Sequence, residues 1–168
     1  MPRKLLISDA NILIDMEVGE LLVKMFKLEY EFGVPDILYE QELKARHPQL
    51  EGLGLRSLEL TAESIARVVS LAAQYRKFGV STNDLFALAL AQQEQTTLLT
   101  GDAKLKQVCI AEKVSVHGTV WLVGEMLEAA IIEYKTANTA YEAMRNSGSR
   151  LPWKAVEKQL KKYRHRGS

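Results

Sequence analysis

Two short apolar runs, each delivering an aspartate just past its C-terminal end, constrain this chain more than any other feature. Lys4–Ser8 (KLLIS) leads straight into Asp9, and residues 96–100 (TTLLT) lead through Gly101 into Asp102. Short runs without polar alternation are the pattern of strands covered on both faces, as in parallel sheets. Helical patterns fill the intervals, over 10–17, 19–30, 36–45, 61–78, 81–94 and 101–111. Further short strands are expected at 32–34, 55–60 and 114–116, with 47–54 a loop holding Pro48 and two glycines. In the helix capped by Thr61, Ile65, Val68, Val69 and Ala72 are expected to share the core face. Strands alternating with helices predict an α/β fold, a three-layer α/β/α sandwich around a central, mainly parallel sheet.

Beyond Gly118 two more helices are expected, over 119–134 and 136–146, then a hinge at 146–149. A last helix opens at Pro152, with Trp153, Val156, Leu160 and Tyr163 at helical spacing. The predicted organisation is a domain over 1–134 and a C-terminal helical extension over 135–168. A length of 168 residues suits one such domain with an appendage.

The whole chain carries a formal net charge of +1, so bulk charge names no partner. Its distribution says more: from Arg150 onward there are seven Lys or Arg against one acid, net +6, which leaves −5 for residues 1–149. Lys154, Lys158, Lys161 and Lys162 on the last helix are therefore candidate contacts for nucleic-acid phosphates. An amphipathic helix docked by its apolar stripe is the plainer explanation, and one helix can be both. Cys109 is the single cysteine, so no disulfide framework or cysteine-rich metal site is available. The apolar run near the N-terminus is too short for a signal peptide, and no stretch approaches the ~20 apolar residues of a membrane helix. A cytoplasmic protein is expected.

Placed on this map, Asp9 and Asp102 follow strands, Asp84 opens a helix, and Glu40 lies early in the helix after Pro35. In an open α/β sheet the carboxyl ends of the strands form the ligand-binding rim. Each acid alone has an ordinary explanation: Asp is a favoured N-cap, and acids in a first turn suit the helix dipole. Glu42 competes with Glu40. Together, converging carboxylates repel one another unless a cation neutralises them. An all-oxygen set suits Mg²⁺, which keeps several waters, and His47, His117 and His165 are too scattered to offer a softer metal a site.

Four segments, SDANILID at 8–15, VPDILYE at 34–40, STNDLFALALA at 81–91 and LLTGD at 98–102, resemble the acidic motifs of PIN domains, in the family's order. VHGTVWLV at 116–123 resembles the closing strand and helix start of bacterial members, and the likeness covers about residues 3–130. The resemblance implies a Mg²⁺- or Mn²⁺-dependent nuclease acting on RNA, with Asp9, Glu40, Asp84 and Asp102 holding one or two ions. Water attacking in line would leave a 5′-phosphate and a 3′-hydroxyl. Asn11 and Thr100 would fix the carboxylates through hydrogen bonds, turn or capping roles being their alternative. Many members carry a further polar residue soon after the last aspartate. Here Ala103, Lys104 and Leu105 follow, which makes Lys104 a candidate phosphate contact. The resemblance also implies, as possible partners, a cognate antitoxin protein and a second copy of the chain. Two rivals are a phosphoryl-transfer site of the receiver or phosphatase kind, which lacks its paired aspartates here, and a non-catalytic RNA-binding scaffold.

Overall fold

A computed structural model describes residues 2–166. Five parallel strands form one sheet in the order β3-β2-β1-β4-β5, where β1 is Lys4–Ser8, β2 Tyr30–Pro35, β3 Arg56–Leu58, β4 Leu98–Leu99 and β5 Val116–His117. The chain first steps outward from β1 to β2 and β3. It then crosses back to lay β4 on the opposite edge of β1, with Ile7 against Leu98 and Ser8 against Leu99. The direction of strand order therefore reverses between β1 and β4, and a crevice opens at such a switch point, beyond the carboxyl ends.

Helices cover both faces, giving the α/β/α sandwich. On one side lie α1 (Ala10–Val18), the single turn α2 (Leu22–Met25), α8 (Thr119–Glu128), α9 (Tyr134–Asn146) and α10 (Trp153–Arg166). The other carries α5 (Ala62–Gln74), α6 (Thr82–Gln93) and α7 (Ala103–Ala111). Between β2 and β3 come α3 (Asp36–Leu38), a π-helical turn over Tyr39–Leu43, and α4 (Gln49–Leu53). Helix α6 is buried along Ala87–Ala91 on nearly every side because sheet, α5 and α7 surround it. That explains its uniformly apolar sequence.

Several elements differ from the sequence expectation. Residues 47–54, expected as loop, contain α4, which ends on Gly54 at φ +118, a left-handed conformation suited to glycine. The helix expected over 19–30 shrinks to α2, because Glu20 takes a left-handed φ of 57 and the chain must extend again by Tyr30 to pair with Lys4. In α5 the buried positions are Ser64, Val68 and Leu71, with Tyr75 following, whereas Ile65 and Val69 are exposed. Apolar residues occupy too much of α5 for periodicity to choose the face. Its packing on α6 chooses it, and Arg67 is held on the opposite flank by Gln92 and Glu112.

The C-terminal helices share the main core. Ala137, Ala140, Tyr141 and Met144 of α9 are buried, as is Val156 of α10. Gln159 of α10 donates to the Val120 carbonyl at 2.8 Å and accepts from Tyr141. Asp15 on α1 accepts from Thr119 Oγ1 at 3.1 Å and Ser149 Oγ at 3.0 Å, latching α1, α8 and the α9–α10 connection together. Among the described residues no helix is long and apolar enough to cross a membrane.

Gly19, at the end of α1, sits against α9: a Cβ there would lie 2.7 Å from Met144 Cε and 3.1 Å from Ala140 Cβ. Met144 can swing away but the Ala140 Cβ is fixed to its helix. Gly19→Ala should therefore destabilise the fold, the overpacking cost of about 1–3 kcal/mol exceeding the ~0.4–1 kcal/mol gained from a stiffer unfolded chain. Urea denaturation checks this; an unchanged or raised midpoint would contradict the close α1–α9 contact.

Candidate functional site

At the crevice between β1 and β4, Asp9 is the first residue past β1 and is 1% exposed. Its backbone N–H still belongs to the sheet, donating to the Leu99 carbonyl at 3.0 Å. Its side chain caps α1, Oδ1 accepting from the Ile12 N–H at 2.9 Å, while Oδ2 accepts from the Thr100 hydroxyl at 2.5 Å. Thr100 Oγ1 in turn accepts from the Asp102 N–H at 3.1 Å. One hydroxyl thus ties the acid after β1 to the acid after β4. Asp102 caps α7, its Oδ1 accepting from the Lys104 N–H at 2.8 Å. The capping explanation weighed for Asp9 and Asp102 therefore holds, and both side chains keep a further oxygen lone pair free to serve a ligand.

Asp84 does not cap its own helix. Ser81 does, accepting from the Asp84 N–H at 3.1 Å, and Asp84 lies half-buried in the first turn of α6. Its neighbours disclose the cluster. Burial raises its pKa above the ordinary carboxylate value, and the charges of Asp102 and Glu42 raise it further. Asp9 is pushed up to about 7, first by burial and then by the charges of Asp84 and Asp15, against the lowering effect of the Thr100 and Ile12 hydrogen bonds. Asp9 is thus linked to Asp102 through Thr100, and Asp84 lies near enough for its charge to act on Asp9 and for that of Asp102 to act on it.

Glu40 is not drawn into this group. Its carboxylate, 61% exposed, pairs with Lys44 one turn on at 3.3 Å. The acid whose charge reaches Asp84 from this wall is Glu42, which also accepts from Asn83 Nδ2 at 3.1 Å. The cause is the π turn, closed by the Lys44 N–H donating to the Tyr39 carbonyl at 2.8 Å. Its extra residue shifts the side chains that follow it, and no sequence signal announces it. Asn11 is exposed on the first turn of α1, away from the hydrogen bonds that fix Asp9 and Asp102. Lys104 is exposed and reaches across to Gly79, its Nζ 3.4 Å from where a Cβ on Gly79 would sit. Lys154, Lys158, Lys161 and Lys162 are exposed on α10, which lies against α8 with Tyr163 bonded to Glu128 at α8's far end. Lys158, Lys161 and Lys162 thus run away from the carboxyl edge where the acids sit.

Among the described residues no three His, Cys, Asp or Glu side chains close round a single point. Chemically, though, the group fits a hard divalent cation. It is all oxygen, neighbouring carboxylate charges add to burial in raising the pKa of Asp9 and Asp84, and Mg²⁺ binds through few carboxylates while retaining waters. A raised pKa means that Asp9 stabilises the metal-free fold at low pH and that this contribution is lost as pH rises from about 4 through about 7. Asp9→Asn should remove that loss. In chelator the variant should melt several degrees above the wild type at pH 8, with the gap closing or reversing at pH 5. Thermal denaturation at both pH values checks it; an equal gap would contradict the buried, strained carboxylate.

No curated protein matches the chain. A family model described as a PIN domain matches residues 5–165, so the match includes α9 and most of α10. The chain belongs to the PIN-domain family, whose members are generally nucleases.

Proposed function

We propose that this PIN domain is a metal-dependent endoribonuclease, hydrolysing RNA phosphodiester bonds at Asp9, Asp84, Asp102 and Glu42 with Mg²⁺ or Mn²⁺. The observation that carries the reading is the Thr100 hydroxyl that ties Asp9 to Asp102 at the β1/β4 switch point, beside an Asp84 whose charge acts on the buried Asp9, itself pushed up to about 7 by its surroundings. A scaffold gains nothing from holding carboxylates where they repel one another. A site for a cation and a phosphodiester does.

A bound divalent cation would supply Lewis acidity, lowering the pKa of a water and offsetting charge that develops on the phosphoryl oxygens. The chain's own groups do the positioning. The Thr100 hydroxyl and the Ile12 N–H hold both Asp9 oxygens, so this carboxylate cannot rotate when a ligand arrives. Asp102, tied to Thr100 through its N–H, keeps a fixed offset from Asp9 across the crevice. Asp84 on α6 and Glu42 on the π turn, whose charge acts on Asp84, would complete the acidic wall and accept hydrogen bonds from an attacking water. Glu42 replaces Glu40 as the fourth acid in this reading.

Asp9→Asn and Asp84→Asn should each lower Mn²⁺- or Mg²⁺-dependent cleavage of single-stranded RNA by about 100-fold or more while the far-ultraviolet circular dichroism stays that of the wild type. Glu42→Gln should cost about 10-fold or more, and Glu40→Gln less than about twofold. Equal losses in the two glutamate variants would restore Glu40 to the site. Full activity in both aspartate variants would refute the nuclease assignment.

A further inference from the structure

The loop that joins α5 to α6 combines features that the acidic site does not use. Arg76, Lys77 and Phe78 form a 3₁₀ turn ending on Gly79, whose φ of +70 turns the chain toward Ser81 and the start of α6. Lys104, from the first turn of α7, lies over that glycine. The loop therefore sits between the helix starts that carry Asp84 and Asp102. The turn itself carries Arg76 and Lys77, the Lys104 ammonium reaches it, and among the described residues none of the three has a carboxylate partner. Like charges gathered without counter-charge are held against their own repulsion and favour a polyanion.

The same turn exposes an aromatic ring. Phe78 is 37% exposed although it packs edge-to-face on the buried Tyr75, ring centroids 5.5 Å apart at 88°. Tyr75 is itself fixed by its hydroxyl, which donates to Glu112. Phe78 is thus a held ring with an open surface beside three free cations. Cations that track a backbone and an aromatic on which a base can stack are the two components of single-strand recognition. The opposite wall is unsuited to phosphate, since it carries the acids Glu40 and Glu42.

We propose that the turn at residues 76–79, together with Lys104, is a subsite for single-stranded RNA: a base flanking the scissile bond stacks on Phe78, and the adjoining phosphates lie on Arg76, Lys77 and Lys104. The subsite rests on the nuclease reading above and gives it a direction, because the strand leaves the acidic centre on the α6–α7 side.

The test measures binding in chelator, where no cleavage occurs, by fluorescence anisotropy of a labelled 12-nucleotide single-stranded RNA. Phe78→Leu keeps an apolar side chain but removes the stacking face, and should raise Kd about tenfold, whereas Phe78→Tyr should stay within about twofold. Lys104→Ala should flatten the slope of log Kd against log salt by about 0.7, one phosphate contact on a single strand. Ile110→Ala, at an exposed site on the far end of α7, should change neither. If Leu and Tyr at position 78 bind alike and the slope is unmoved, the subsite is overturned. Should Phe78→Leu fail to fold, the Lys104→Ala slope alone decides. Mn²⁺-dependent hydrolysis of bis(p-nitrophenyl) phosphate by the unaltered protein separates the two readings. With hydrolysis present, a binding failure counts against the subsite only; with neither this ester nor RNA cleaved, the nuclease reading falls and the subsite with it.

Discussion

The hydrogen bond from the Thr100 hydroxyl to Asp9, 2.5 Å long and fully buried, is the contact on which the acidic centre depends. It forms only because β4 lies beside β1 rather than beside β3, an arrangement that requires the long crossover through α5 and α6. The Leu99 carbonyl takes the Asp9 N–H, the next residue takes the Asp9 carboxylate, and the same Oγ1 then accepts from Asp102. Strand pairing and carboxylate orientation are thus consecutive rungs of one ladder. A one-residue slip of β4 against β1 would turn Thr100 to the other face of the sheet and leave Asp9 buried without its partner.

That dependence explains why the C-terminal helices matter to the site although none of their side chains belongs to it. Asp15 lies on α1, the helix that Asp9 caps, and its carboxylate takes hydroxyls from Thr119 and Ser149. Burial raises its pKa as well, and its charge in turn acts on Asp9. The half-buried Asp15 therefore costs stability and returns it by fixing where α8 and the α9–α10 connection meet the carboxyl edge. Electrostatic strain at Asp9 is tolerable because the packing of Met16, Gly19 and α9 holds α1 in place independently of it.

How much was legible in the sequence follows from the range of the interactions concerned. The strand that ends in Asp9 and the one that leads to Asp102 could be read because their signal is local: an apolar run, an acid, then a helix. The three-layer architecture with its parallel sheet followed from alternation alone, whereas the strand order is set by pairings that alternation does not reveal. The exposed face of α5 could not be read, since Ile65 and Val69 are as apolar as Val68 and Leu71, and only the position of α6 distinguishes them. Nor could α4, whose sequence QLEGL has a glycine in it and a proline before it. The latching role of Asp15 could not be read either, because its partners are 104 and 134 residues away. Phe78 and Lys104 lie outside the quoted motifs and far apart in the chain, and only the fold brings Lys104 to the turn at Gly79.

Glu40 and Glu42 show most plainly where sequence reasoning stops. Counting from Pro35 along a regular helix favours Glu40, and in an uninterrupted α-helix the Lys44 N–H would take the Glu40 carbonyl. It takes that of Tyr39 instead, so one residue is added to the turn. An extra residue rotates the following side chains by about 100° relative to those before it. Two glutamates only two positions apart therefore have different surroundings, Glu40 with Lys44 in solvent and Glu42 against Asn83 and Asp84. The π turn makes this wall of the crevice acidic, while the turn before α6 carries Arg76 and Lys77 and is reached by Lys104 from α7. A strand of RNA held by its phosphates would be repelled by the first wall and drawn along the second, so the direction of the proposed substrate path originates in a single inserted residue.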